Sequence, residues 1–179
     1  MADLSGRTIA LIANRGVEEP ELAEPLRALR EAGATTVLLS AEESSVVALK
    51  GDWDRGQEFP VDAPIAGAKA EDYDALVLPG GTLNADSLRI DSDAVDLVKA
   101  FAAAEKPIAA ICHAPWLLIE AGLVDGLRMT SFTALVTDLK NAGADWVDEQ
   151  VVTDRGITTS RNPGDLEAFN EEIISRLAG

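Results

Sequence analysis

Cys112 is the only cysteine in the 179-residue chain, and His113, its immediate neighbour, is the only histidine. The cysteine ends the apolar run Pro107-Ile108-Ala109-Ala110-Ile111, and a helical stretch begins at Pro115. That pattern places the thiol at a strand-to-helix corner, facing the space beyond a sheet edge. The N–H groups that open a helix, together with its dipole, favour negative charge there, and the nucleophilic form of cysteine is the thiolate. The spacing therefore predicts a lowered thiol pKa and nucleophilic chemistry, against the alternative of a buried, inert cysteine.

Two further loops carry residues suited to assist. Asn14-Arg15-Gly16-Val17-Glu18-Glu19-Pro20-Glu21 and Pro79-Gly80-Gly81-Thr82 each follow an apolar strand-like run. The double glycine has no Lys-Ser or Lys-Thr at phosphate-loop spacing, and the chain has no dinucleotide fingerprint. An N–H of Gly81, paired with that of His113, suits a developing oxyanion, whereas a tight turn needing positive φ explains Gly80 and Gly81 equally well. Of Glu18, Glu19 and Glu21, one carboxyl turned toward Cys112 would act as general acid or base, and the others would open a helix. The residue types do not choose among them. His113 reads either as the partner of the thiol or as a rim contact, and one Cys with one His cannot close a His/Cys zinc site within the chain.

The elements that must position these loops follow from hydrophobic period. Arg7–Ala13, Asp74–Leu78 and the run into Cys112 are short, largely apolar segments, as expected of strands buried on both faces, and Thr35–Ser40 follows the first helix as a second strand. Helical spacing appears at Leu22, Leu26 and Leu29, from about Asp91 to Glu105, from Trp116 to Ala121, at Ala134–Ala142 and from about Asp165 to Leu177. Val46–Val61 loses that period and is punctuated by Gly51 and Gly56, which predicts a hairpin or arm. Arg128–Phe132 reads as a strand, and Val151–Thr153 with Ile157–Ser160 as a hairpin. Strand and helix alternate throughout, so the expected fold is an α/β, doubly wound sandwich with a mostly parallel sheet, in one domain over residues 1–179. Ligands in such a sheet bind at the carboxyl ends of the strands, where the three loops should share one crevice.

Composition narrows the partners. The formal charge of −16 repels phosphate backbones and anionic membrane surfaces, so neither nucleic acid nor a membrane is expected as partner. Met1–Arg7 lacks a charged-then-apolar pattern and the apolar region from Pro107 to Val124 is interrupted, which predicts neither a secretory signal nor a membrane span. The paucity of cysteine suits a reducing cytoplasm.

Gly16-Val17-Glu18-Glu19-Pro20-Glu21-Leu22, Leu76-Val77-Leu78-Pro79-Gly80-Gly81 and Ala110-Ile111-Cys112-His113-Ala114-Pro115 closely resemble the PfpI branch of the ThiJ/PfpI superfamily. Asn141–Asp148 and Thr159–Leu166 extend the likeness almost to the C-terminus. The resemblance implies a flavodoxin-like sandwich, Cys112 as nucleophile on a strained elbow, Glu18 as the carboxyl that hydrogen-bonds its sulfur, and His113 as catalytic histidine. It further implies a homodimer or higher homo-oligomer, in which Asp86 of an adjacent subunit completes the triad after a one-residue shift in its loop. Ala114 departs from the glycine usual after Cys-His, and an alanine there disfavours positive φ.

Relatives of this kind are described as glyoxalases, protein deglycases, intracellular cysteine peptidases and oxidisable stress proteins. The residues suit addition of the thiolate to methylglyoxal or glyoxal and release of a hydroxy acid, with no cofactor and no metal. A peptidase would use the same nucleophile and the Gly80, Gly81 and His113 donors on a peptide. A redox sensor would use oxidation of Cys112 instead, capped from outside because no second cysteine resolves it.

Overall fold

A computed structural model of the chain describes residues 3–179. Met1 and Ala2, on which the reading of the N-terminus partly rests, lie outside the described residues. In chain order the elements are β1 (Thr8–Ile12), α1 (Glu19–Glu31), β2 (Thr35–Ser40), β3 (Ser45–Lys50), β4 (Asp54–Pro60), β5 (Ala63–Pro64), β6 (Ala75–Leu78), α2 (Thr82–Arg89) and α3 (Ser92–Ala103). They continue as β7 (Ile108–Ile111), α4 (Pro115–Glu120), β8 (Arg128–Met129), α5 (Val136–Asn141), β9 (Asp145–Trp146), β10 (Val151–Asp154), β11 (Ile157–Ser160) and α6 (Leu166–Ala178).

Seven strands form the central sheet in the order β10-β11-β7-β6-β1-β2-β5, parallel except for the edge pair of β10 with β11. β6 and β7 are apolar at every position, and β1 from Ile9 onward, because successive side chains feed opposite cores. Ile9 and Leu11 of β1, Val77 of β6 and Ile111 of β7 pack on one face with Leu22 and Leu29 of α1 and Phe169 of α6. Ala10, Ile12, Leu76, Leu78 and Ala110 point to the other, where Phe101 of α3 and Leu117 and Leu118 of α4 cover them. The expected doubly wound α/β sandwich is the fold observed.

The chain runs outward from β1 through β2 to β5, then returns to β6 and proceeds the other way through β7 to β11. The order reverses between β1 and β6, and the crevice at their carboxyl ends is where such sheets bind ligands. The loops after β1, β6 and β7 all open there.

Two segments near the crevice carry more than the sequence pattern shows, and elsewhere the strand expected over Arg128–Phe132 is confined to Arg128–Met129. Residues after Gly81 form α2, a helix where the pattern suggests only a loop, since its polar residues Asn84, Asp86 and Ser87 obscure the single apolar contact line of Ala85 and Leu88. Val46–Val61 is indeed an antiparallel hairpin, β3 with β4, but it also adheres to the loop after β1: Gly16 N–H donates to Val47 O at 2.8 Å and Leu49 N–H to Val17 O at 2.8 Å. The arm is thereby tied to the crevice.

Candidate active site

Cys112 has φ of 63°, a left-handed conformation that costs a non-glycine residue on the order of 1–3 kcal/mol. Its backbone is held from both sides. Cys112 N–H donates to Ser160 O of β11 at 3.0 Å, and Phe132 N–H donates to Cys112 O at 2.9 Å. Ala114 lies beyond the strain, with φ −55° and its methyl in the core, so the departure from glycine disturbs neither the turn nor the crevice.

The sulfur is enclosed, with Cys112 only 6% exposed, rather than facing open space. The backbone N–H groups of Gly81 and His113 lie on its side of the crevice and act to lower the thiol pKa. Gly80 serves differently, because its N–H donates to Glu21 Oε2 at 2.9 Å and is committed to holding that carboxyl.

The carboxyl facing the thiol is that of Glu21, and the assignment to Glu18 is corrected. Helix α1 begins at Glu19, with Pro20 in its first turn, so Glu21 falls on the buried side with Leu22, Pro25, Leu26 and Leu29. Glu18 precedes the helix in extended conformation and points to the arm, where its Oε1 accepts from Gly51 N–H at 2.9 Å and its Oε2 from Asp52 N–H at 3.1 Å. Glu19 also serves the arm, accepting from Gln57 N–H and pairing with Lys50.

Glu21 is fully buried, and burial raises its pKa to about 8, assisted by the nearby negative charges of Glu18 and Asp52. At neutral pH it is therefore a neutral acid whose proton is available to the sulfur. Its Oε1 is buried with no hydrogen-bond partner among the described residues. Burial also pushes the Cys112 thiol up, followed by the charge of Glu21, while the Gly81 and His113 N–H groups pull it down. The net direction is opposite to the lowering predicted from the helix start. The contribution from a charged Glu21 exists only once that carboxyl has lost its own proton, so thiol and carboxyl titrate as a pair.

His113 Nδ1 lies 3.2 Å from Cys112 Sγ, so the two side chains do meet. The ring is stacked on Phe132 at 4.8 Å and meets the edge of Trp116 at 5.3 Å. Its Nε2 faces Thr82 Oγ1 at 3.4 Å, and Thr82 is bonded in turn to Asp52. Burial lowers the imidazole pKa and the charge of Asp52 opposes that change. Asp86 is exposed on α2, one turn beyond Thr82, and within the chain the imidazole contacts Thr82 instead.

Sequence patterning alone does not single out Glu21, Thr82 or Asp52 as site residues. A carboxyl beside the apolar stripe of α1 is the available signal for Glu21. None exists for Asp52, which reaches the crevice only because the arm folds back.

The sequence profile of the DJ-1/PfpI family matches residues 7–176. General stress protein 18 of Bacillus subtilis is 40% identical over 173 residues, covering 96% of this chain and 98% of that protein. The putative cysteine protease YraA of the same organism is 38% identical over 171 residues, with the same coverage of 96% and 98%. The crystal structure of Drosophila melanogaster DJ-1beta superposes with a TM-score of 0.87 at 30% identity, covering 97% of this chain and 91% of that one. With a cysteine on a left-handed elbow at the sheet's reversal point and sequence likeness along nearly its whole length, the chain belongs to the DJ-1/PfpI family.

Proposed function

We propose that the protein converts small reactive carbonyl compounds of the methylglyoxal and glyoxal class into hydroxy acids, using Cys112 and no added cofactor. The observation carrying this reading is an enclosed sulfur served by a neutral acid, Glu21, and by a base, His113 Nδ1 at 3.2 Å. Removal of the thiol proton by His113 lets sulfur add to the aldehyde carbon, and the carbonyl oxygen takes up a proton to give a hemithioacetal. Loss of the proton on that carbon and return of a proton to the neighbouring carbon convert the adduct, through an enediol, into a thioester of the hydroxy acid. Water then cleaves the thioester, releasing lactate from methylglyoxal and restoring the thiol. One water is consumed, and oxidation of one carbon is matched by reduction of the next. The Gly81 and His113 N–H groups, which act to lower the thiol pKa, would serve as donors to an oxyanion on the attached carbon. The stress-protein name of the Bacillus relative fits disposal of such compounds, and a free thiol nucleophile fits a reducing, cytoplasmic setting.

Purified protein incubated with methylglyoxal is expected to form lactate, detected chromatographically. Cys112→Ser should lose at least about 10³-fold of that rate while keeping its circular dichroism spectrum. Retained turnover in the Cys112→Ser protein would reject the reading. The name of the YraA relative favours peptide cleavage as a second reading, and its signature in the same assays is Cys112-dependent cleavage of a fluorogenic peptide without lactate formation.

The working unit is proposed to be at least a homodimer, with Asp86 of one subunit supporting His113 of another. Supporting this, Leu83 and Ile90 near Asp86 on and just after α2, and Trp53 at the arm, are exposed large apolar side chains. If Asp86→Ala is impaired alone, mixing it with Cys112→Ser subunits after dissociation should restore activity. The hybrid then contains one intact thiol facing one intact Asp86. A fully active monomer, or verified hybrids without recovery, would exclude the arrangement.

A further inference from the structure

A chain of hydrogen bonds leads away from His113 into the arm. Thr82 Oγ1 lies 3.4 Å from His113 Nε2 on one side and 2.7 Å from Asp52 Oδ2 on the other, while Thr82 N–H donates to Asp52 Oδ1 at 2.8 Å. Asp52 is itself fixed, because its N–H and that of Gly51 donate to Glu18 at the turn of the hairpin. The half-buried Asp52 sits in a left-handed conformation with φ of 63°, and this turn geometry aims its carboxylate at α2.

The polarity of every link follows from donor and acceptor inventory. An ionised Asp52 only accepts, so the Thr82 hydroxyl hydrogen must point to Oδ2. The remaining lone pairs of Oγ1 then face Nε2, which satisfies the contact by carrying the imidazole proton. Nδ1 is left with its lone pair directed at Cys112 Sγ. We propose that Asp52 and Thr82 are positioning residues that select the Nε2–H tautomer of His113 and so keep Nδ1 free to take the thiol proton of Cys112. When that proton moves from Sγ to Nδ1, the imidazolium keeps its Nε2–H bond to Thr82 and faces the carboxylate through the hydroxyl. The charge of Asp52 also acts on the imidazole in the direction that favours this proton gain.

A role confined to capping α2 would need only the bond from Thr82 N–H to Oδ1. The hydroxyl bond to Oδ2 is additional, and it is the one that reaches the imidazole. The inference rests on His113 acting as base toward Cys112, but its test requires no carbonyl turnover.

Because the chain has a single histidine, its ¹⁵N spectrum reports the tautomer without assignment ambiguity. The unmodified protein should show the Nε2–H form at a pH where the ring is neutral. Asp52→Asn preserves a residue type that tolerates a left-handed backbone. There, Thr82 N–H requires the amide oxygen, so the amide NH₂ faces Oγ1 and turns the hydroxyl hydrogen toward Nε2. His113 should then switch to the Nδ1–H form, and iodoacetamide alkylation of Cys112 near neutral pH should slow by about tenfold with its pH profile displaced upward. Thr82→Val should lose the uniform Nε2–H form, and Thr82→Ser should retain both tautomer and alkylation rate.

An Nδ1–H form in the unmodified protein would overturn the proposal. So would unchanged tautomer and alkylation profile in folded Asp52→Asn and Thr82→Val proteins. A tautomer that responds to Asp86→Ala but not to Asp52→Asn would replace it with control from a neighbouring subunit. Failure of methylglyoxal turnover with the tautomer shifts intact would reject the proposed function and leave the relay standing.

Discussion

Glu21→Ala is expected to slow alkylation of Cys112 near neutral pH by at least about tenfold, whereas Glu18→Ala is expected to change it by less than about threefold. The first substitution removes the one side-chain acid facing the sulfur, and the second loosens an arm still held by backbone pairing. Glu21→Gln should fall between them. The Gly80 N–H claims the amide oxygen, which leaves the NH₂ toward sulfur as a weaker donor. Equal alkylation rates for the unmodified and Glu21→Ala proteins would remove Glu21 from the site's chemistry.

The same carboxyl gives stability a defined pH dependence. The folded chain raises the Glu21 pKa from 4.5 to about 8, so between those values the folded state binds a proton that the unfolded chain releases. The stabilising contribution is fully present below pH 4.5 and is lost as pH rises to about 8. It amounts to a few kcal/mol at about 1.4 kcal/mol per unit of difference. Glu21→Gln has no such titration. Urea unfolding should therefore show the Gln variant gaining stability relative to the unmodified protein across that interval, and parallel pH curves would contradict a buried protonated carboxyl.

Gly81→Ala is expected to cost about 3 kcal/mol or more and to abolish Cys112 reactivity in whatever fraction remains folded. Gly81 has φ of +92°, and a Cβ there would lie 2.4 Å from Gly16 O and 2.5 Å from Glu18 N, both backbone atoms of the loop tied to the arm. At Gly80 a Cβ would lie 2.4 Å from Glu21 Oε2 and 2.7 Å from Cys112 Cβ, so Gly80→Ala should cost about 1–3 kcal/mol and separate acid from thiol. Gly67→Ala is the control: its φ is +81° but nothing lies within 4 Å, so only backbone strain of about 1 kcal/mol is expected. Urea midpoints and alkylation rates, measured on all three variants, check the ranking. Equal losses at Gly81 and Gly67 would show that contact with that loop contributes nothing.

The alternation of short apolar strands with helical stripes was legible from composition and period, because each doubly buried strand must supply both cores. The same pattern located the corner bearing Cys112, since a cysteine between a buried strand and a helix start has few places to go in a parallel sheet. Helix α2 was not legible, as only two apolar positions mark its buried line. Nor did spacing distinguish the carboxyls. Counting back one helical turn from Leu22 reaches Glu18, yet the helix begins at Glu19 and the extended backbone before it carries Glu18 away to the arm.

The sequence by itself thus determined the α/β order and the corner bearing Cys112, both of which depend on neighbours along the chain. Only the tertiary structure decided which acid meets the sulfur, the direction of its pKa shift, and the approach of Asp52 through Thr82 to His113. Those depend on burial and on where a hairpin lands, quantities set by packing between segments 30 residues apart for Asp52 and Thr82 and 59 apart for Glu21 and Gly80.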